Sequence, residues 1–168
     1  MATKKKTPAR KTSATRPAPK KAISKVKGKR STKPSAGKSD VPQLFRLNIE
    51  VGNLEAAANF YTELLGVQGR PQRGARVYFD CGPVTLQVVD VSSVRPPHPA
   101  AKALYFTVRD LEAAFARAKG LGCLSQENVH DEPGGGVVVR PWGERSFYAE
   151  DAWGNPLCFV EEGTVYVG

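Results

Sequence analysis

Residues 45–51 alternate in character. Phe45, Leu47, Ile49 and Val51 are apolar, and Arg46, Asn48 and Glu50 separate them. A period of two predicts a β-strand whose apolar face lies on a helix and whose polar face is turned away. The period then changes. Leu54, Ala57, Ala58, Tyr61 and Leu65 form a stripe at helical spacing, with Asn53 placed to cap the helix and Gly66 to end it. Three strands are expected after it, near 67–72, 75–81 and 84–90.

The same order then recurs. Residues 106–122, FTVRDLEAAFARAKGLG, echo residues 49–65, IEVGNLEAAANFYTELL, at an offset of 57. Leu111, Ala114, Phe115 and Ala118 make the second helical stripe, Asp110 can cap it, and Gly120 and Gly122 mark its end. Strands are expected near 137–141, 144–150 and 156–161. Leu86, Val89 and Asp80 find their echoes 71 residues on, at Leu157, Val160 and Asp151. The growth of the offset places an insertion around Cys123–Gly136. The chain thus reads as a duplicated βαβββ unit.

Charge divides the chain. Residues 1–40 hold 14 of the 25 Lys and Arg and one acid, Asp40, a local net of +13; the other 11 bases and 15 acids leave −4. Residues 1–41 lack Leu and aromatic residues and are rich in Lys, Ala and Pro, so a disordered basic tail is expected there. Pro8, Pro17, Pro19 and Pro34 oppose an amphipathic transit helix. The remaining length suits one domain, 42–168, with module one at 42–91 and module two at 102–163. No apolar run of about 18 residues predicts a membrane span. No apolar stretch after the basic start predicts a secretory signal. Cys81, Cys123 and Cys158 lack CxxC spacing, which suits a reduced, cytoplasmic protein.

The run NLEAA…FY…LLG, its echo VRDLEAA, and FYAEDAWGNPLCFVE together resemble the vicinal oxygen chelate (VOC) superfamily. That superfamily includes glyoxalase I, bleomycin-resistance proteins and extradiol dioxygenases. The likeness spans residues 44–161. Its most specific part, Asp151-Ala152-Trp153-Gly154-Asn155-Pro156, looks like the family's D-P-x-G-N-P turn, with Ala152 where Pro is usual. Asp151 can accept backbone N–H bonds there, Gly154 and Asn155 tolerate positive φ, and Pro156 can start an edge strand. The resemblance implies an α+β fold in which two βαβββ modules form curved mixed sheets around a cavity. It also implies a homodimer.

Metal enzymes of the family take ligands from the first and last strand of each module. Those positions carry over as Arg46, Gln87, Ala103 and Cys158. Arg46 has no lone pair to give and Ala103 has no donor at all, so no metal and no cofactor is expected. Of the two histidines, His98 lies in a Pro-rich linker and His130 in the insertion; both read as exposed loop residues or, alternatively, as a relocated metal site. Arg46 reads either as a surface partner of Glu50 or as a forked cation facing the cavity. Trp142 reads as a pocket wall near Arg140, Arg145 and Tyr148, or as core with solvated arginines. Phe147 reads as core and Cys158 as an inert buried thiol. Gly134-Gly135-Gly136 reads as a flexible loop able to act as a lid.

The candidate ligand-binding set is Arg46, Asn48, Gln87, Tyr105, Arg140, Trp142, Arg145 and Tyr148, with no catalytic residue assigned. The leading functional reading is a metal-free protein that binds a small anionic or aromatic molecule, in the manner of bleomycin-resistance proteins. A lyase, isomerase or dioxygenase of the glyoxalase type with an atypical site is the alternative. Non-specific nucleic-acid contact through residues 1–40 is a third, beside a merely solubilising tail.

Overall fold

The structure, a computed structural model, describes residues 42–168. The expectations for residues 1–41 lie outside the described residues. Module one runs β1 (Arg46–Val51), α1 (Leu54–Leu65), β2 (Arg70–Gln72), β3 (Arg76–Cys81) and β4 (Val84–Asp90). Module two runs β5 (Leu104–Val108), α2 (Leu111–Gly120), a short hairpin of β6 (Asn128–Val129) and β7 (Glu132–Pro133), then β8 (Val138–Val139), β9 (Arg145–Glu150) and β10 (Pro156–Glu161).

The sheets are ordered β1-β4-β3-β2 and β5-β10-β9-β8, each with one parallel pair, β1 on β4 or β5 on β10. This is an α+β fold of two mixed four-stranded sheets and two helices, the duplicated βαβββ pattern expected from the sequence. Local chemistry starts each helix where the sequence places it. Asn53 accepts from the N–H of Ala56, and Asp110 from that of Ala113, at 2.9 Å each. Gly66 ends α1 in the left-handed region, at φ 67°.

The core is continuous across the modules. Ile49, Val51, Phe79, Leu86 and Val88 of the first sheet join Phe147, Leu157 and Phe159 of the second around the buried sides of α1 and α2. Polar residues also tie the modules together. The Tyr61 hydroxyl donates to Asp151 Oδ2 at 2.7 Å, and Asn155 Nδ2 donates to the Glu50 carbonyl at 3.0 Å.

Three details depart from the sequence reading. Phe45 precedes β1 and is largely exposed rather than set against the helix. Gly154 takes the positive φ of the Asp151 turn and Asn155 does not; Asn155 is there for its amide, which bonds Glu50, Asp151 and Ala100. Pro156 opens β10, which is an inner strand; as its first residue it costs the ladder little.

Candidate functional site

Strand pleating divides the first sheet into two faces. Leu47, Ile49 and Val51 turn toward α1, leaving Arg46, Asn48 and Glu50 on the other side. Register then sets Asn48 beside Gln87, and Gln87 beside Tyr78, in one row across three strands. The Arg46 guanidinium lies between two aromatic rings, 4.7 Å from the Tyr78 centroid and 5.1 Å from that of Phe45.

Arg46 does not pair with Glu50. Glu50 is held by Arg95 through two bonds of 2.5 and 2.6 Å and by the His98 N–H at 3.0 Å. Those donors, Arg95 first, keep the Glu50 carboxyl down at about 2. Arg46 Nε is buried without a hydrogen-bond partner, and so is Gln87 Oε1. A buried donor and a buried acceptor left unpaired are each costly.

The second sheet repeats the row. Tyr105, Cys158 and Tyr148 lie side by side, and the two tyrosine hydroxyls meet at 3.1 Å. Burial, then the bond to Tyr105, pushes the Tyr148 hydroxyl up and keeps it neutral. Burial likewise pushes the Cys158 thiol up to about 11, against a smaller opposing pull from Tyr148 and Arg140. Cys158 is therefore a neutral thiol at physiological pH.

Arg140 is the most unusual group on this face. It is only 2% exposed. Its Nε donates to Ser146 Oγ at 3.0 Å and its Nη1 to the Val129 carbonyl at 3.2 Å, and its guanidinium carbon sits 5.1 Å from the Tyr148 ring centroid. Its Nη2 is buried and unpartnered, and no described carboxylate forms an ion pair with it.

The insertion explains why Arg140 is covered. The outer edge of β9 is occupied twice. The Ser125 N–H donates to the Tyr148 carbonyl at 3.0 Å, while the Tyr148 N–H donates to the Gly134 carbonyl at 2.7 Å. The outer strand is therefore split, and the β6–β7 hairpin buds from the break. Val129 packs on Tyr148, Cys158 and Val160. His130 and Asp131 make its tip with left-handed φ of 55° and 64°. The His130 ring meets Trp142 edge-on at 4.7 Å, and Trp142 Nε1 donates to Glu144 Oε2 at 2.7 Å. The glycines behind it are tightly seated: a Cβ at Gly135 would lie 2.3 Å from the Ser125 carbonyl oxygen.

Of the eight residues chosen from sequence, Tyr105, Arg140 and Tyr148 are brought together. Arg46 and Gln87 both flank Tyr78, and Asn48 is exposed beside Gln87. Trp142 belongs to the hairpin's support. Arg145 does not join them. It shares the helix-facing side of β9 with Phe147, where it pairs with Glu161 at 3.0 Å and with Glu112 of α2. Tyr78, Ser146 and Val129 were missed. Strand alternation within β3 and β9 would have found the first two; the hairpin that carries Val129 has no such signal.

The four positions inherited from metal enzymes do not suit a divalent ion. Arg46 is a cation, Ala103 has no donor, and Gln87 and Cys158 offer one neutral donor each. Among the described residues no group of three or more His, Cys, Asp or Glu is placed to hold a metal. No helix among them is long and apolar enough to cross a membrane.

A sizeable cavity lies elsewhere. A cleft of about 590 Å³ is walled by helix-facing residues of both modules, among them Leu47, Leu86, Phe106 and Phe159. Of the candidate set only Tyr105 reaches it. Periodicity assigns those walls to the core, so it conceals the cleft.

Solved structures share this architecture. A glyoxalase/bleomycin resistance protein from Albidiferax ferrireducens T118 is 20% identical with a TM-score of 0.58, covering 71% of this chain and 98% of its own. A glyoxalase-related enzyme from Fulvimarina pelagi is 18% identical with a TM-score of 0.59, covering 76% and 94%. Lactoylglutathione lyase from Agrobacterium tumefaciens is 23% identical with a TM-score of 0.51, covering 77% and 96%. These likenesses concern the fold. No curated protein matches the chain. A family model does match, over residues 43–159, and with the duplicated βαβββ units and the Asp151 turn already described it places the chain in the Glyoxalase/Bleomycin resistance protein/Dioxygenase superfamily.

Proposed function

We propose that this chain is a metal-free, small-molecule-binding member of its superfamily, holding its ligand on the sheet faces turned away from the helices. One observation carries the reading. The buried side-chain atoms without partners, among the described residues, are Arg46 Nε, Gln87 Oε1 and Arg140 Nη2, and all three lie on or over those faces. On the first sheet, a ligand that accepts from the Arg46 guanidinium and donates to Gln87 would satisfy two of them. Tyr78, Tyr105 and Tyr148 add flat surfaces for a ring. A lyase or dioxygenase in the glyoxalase manner is less well supported, since the four inherited positions lack the donors for its metal.

A homodimer fits this proposal. Tyr105 is 59% exposed and Asn48 is exposed, and a second copy would turn open sheet faces into an enclosed site. Residues 1–40, with a net of +13, are proposed to contact nucleic acid without reading sequence.

The test is native mass spectrometry of protein purified from cells, with elemental analysis of the same sample. A co-purified organic molecule that is lost in Arg46→Ala is the expected result. Stoichiometric Fe, Mn, Ni or Zn would overturn the proposal. Arg46→His should not create a metal site, because Ala103 still offers no ligand.

A further inference from the structure

We propose that the cleft between the modules is a second binding site, for a monoanionic amphiphile: an apolar chain bearing one carboxylate. The proposal does not rest on the function assigned above. The cleft is walled mostly by helix-facing residues and shares only Tyr105 with the candidate set, whereas Arg46, Gln87 and Arg140 do not line it.

Two observations support it, and a third supplies its test. The first is size and lining. About 590 Å³ falls within the range of ~300–1,000 Å³ usual for small-molecule sites. Leu47, Val67, Leu86, Leu104, Phe106 and Phe159 present hydrocarbon to it. Water gains little against such walls, so an apolar chain that displaces it is favoured.

The second is charge. Arg117 of α2 reaches the cleft. Its Nε donates to the Leu64 carbonyl at 3.0 Å, closing the end of α1 and fixing the guanidinium in place. Arg117 has no ion pair with a described carboxylate, so its two terminal nitrogens remain for a ligand. The acid at the rim, Asp80, is already bound by Arg70 through bonds of 2.7 and 3.1 Å. Among the described residues, the cleft therefore carries one uncompensated positive charge over an apolar floor. That pattern selects a single anionic head on an apolar body. A dianion would leave one charge unpaired, and a cation would be repelled.

The third is a built-in reporter. Cys81 lines the cleft and is half-buried, whereas Cys123 and Cys158 are buried. Occupancy of the cleft should shield this one accessible thiol.

The probe is decanoate, titrated calorimetrically into the full-length protein below its micelle concentration, with 1-decanol as the uncharged control. Decanoate should bind, and more tightly than decanol. Octanoate should bind roughly tenfold more weakly than decanoate, for two methylenes at about 0.8 kcal/mol each. Arg117→Gln should weaken decanoate about tenfold, the effect of one charge-assisted hydrogen bond, and leave decanol unchanged. Arg117→Lys should retain most of the affinity. Decanoate should also slow alkylation of Cys81.

The proposal fails if decanoate does not bind, if decanol binds as tightly, or if Cys81 is alkylated at the same rate with decanoate present. It also fails if decanoate competes with self-association, since a second copy would then be the occupant. Should Arg117→Gln unfold through loss of its bond to Leu64, the comparison of decanoate with decanol on the unaltered protein still decides.

Discussion

Removing one hydroxyl should show how strongly the modules are joined. Tyr61 is fully buried on α1, and its hydroxyl donates to Asp151 Oδ2 at 2.7 Å, in the turn before β10. Asp151 holds three more donors: the N–H groups of Trp153 and Asn155 on Oδ1, at 2.9 and 2.8 Å, and Asn155 Nδ2 on Oδ2 at 2.8 Å. Tyr61→Phe keeps the ring in its packing and removes one of four hydrogen bonds to a buried acid. A hydrogen bond to a charged group contributes about 1.5–3 kcal/mol. With three donors left, the low end applies, about 1.5–2 kcal/mol. An unfolding entropy of ~2.1 cal/mol/K per residue over the ordered domain converts this to a fall in Tm of roughly 6–8 °C.

Asp151→Asn should cost more, about 3 kcal/mol or above. Its amide nitrogen would confront groups that themselves donate. Thermal unfolding followed by near-UV circular dichroism, with urea midpoints alongside, measures both. A Tyr61→Phe midpoint within about 1 °C of the parent, or an Asp151→Asn variant no worse than Tyr61→Phe, would refute the reasoning. Either would mean that the inter-module carboxylate contributes nothing that water cannot replace.

Acid should weaken the contact between β1 and the linker. The folded Glu50 carboxyl is held at about 2 against an ordinary 4.5, so its stabilisation is present above pH about 4.5 and is lost as the pH falls from there toward 2. Glu50→Gln should flatten stability across that window, and an NMR titration should place the Glu50 midpoint well below 4.5. Gly69→Ala should destabilise by about 1–3 kcal/mol, because its Cβ would sit 2.7 Å from Val77 and 2.9 Å from the Phe79 ring, both core residues. Gly120→Ala, whose Cβ meets nothing at the end of α2, should stabilise by about 0.4–1 kcal/mol; urea denaturation separates the two signs. Timed alkylation at pH 8 should modify Cys81 first and spare Cys123 and Cys158, whose thiols burial pushes up to about 11, until denaturant is added.

Features that depend on near neighbours are legible in the sequence. Alternation at Arg46–Val51 marked a strand and named its two faces, because side chains on a pleated strand alternate whatever lies beyond. Asn53 and Asp110 marked helix starts, because a cap bonds an N–H three residues on. Repetition of that local pattern carried the duplicated fold, and with it the positions of Arg46, Gln87, Ala103 and Cys158. The same alternation, taken from Phe147 as core, would have moved Arg145 to the helix side. Only tertiary structure decided the pairings. Glu50 shares β1 with Arg46, yet it bonds Arg95, 45 residues away. Asp151 finds Tyr61 at a separation of 90. The hairpin covering Arg140 buds from a split strand that two distant segments complete, at Ser125 and Gly134. The cleft beside Arg117 is walled by residues whose spacing reads as core. Periodicity reports which side of an element is apolar, and whether that side closes on a neighbour or leaves a gap is settled when the two modules pack.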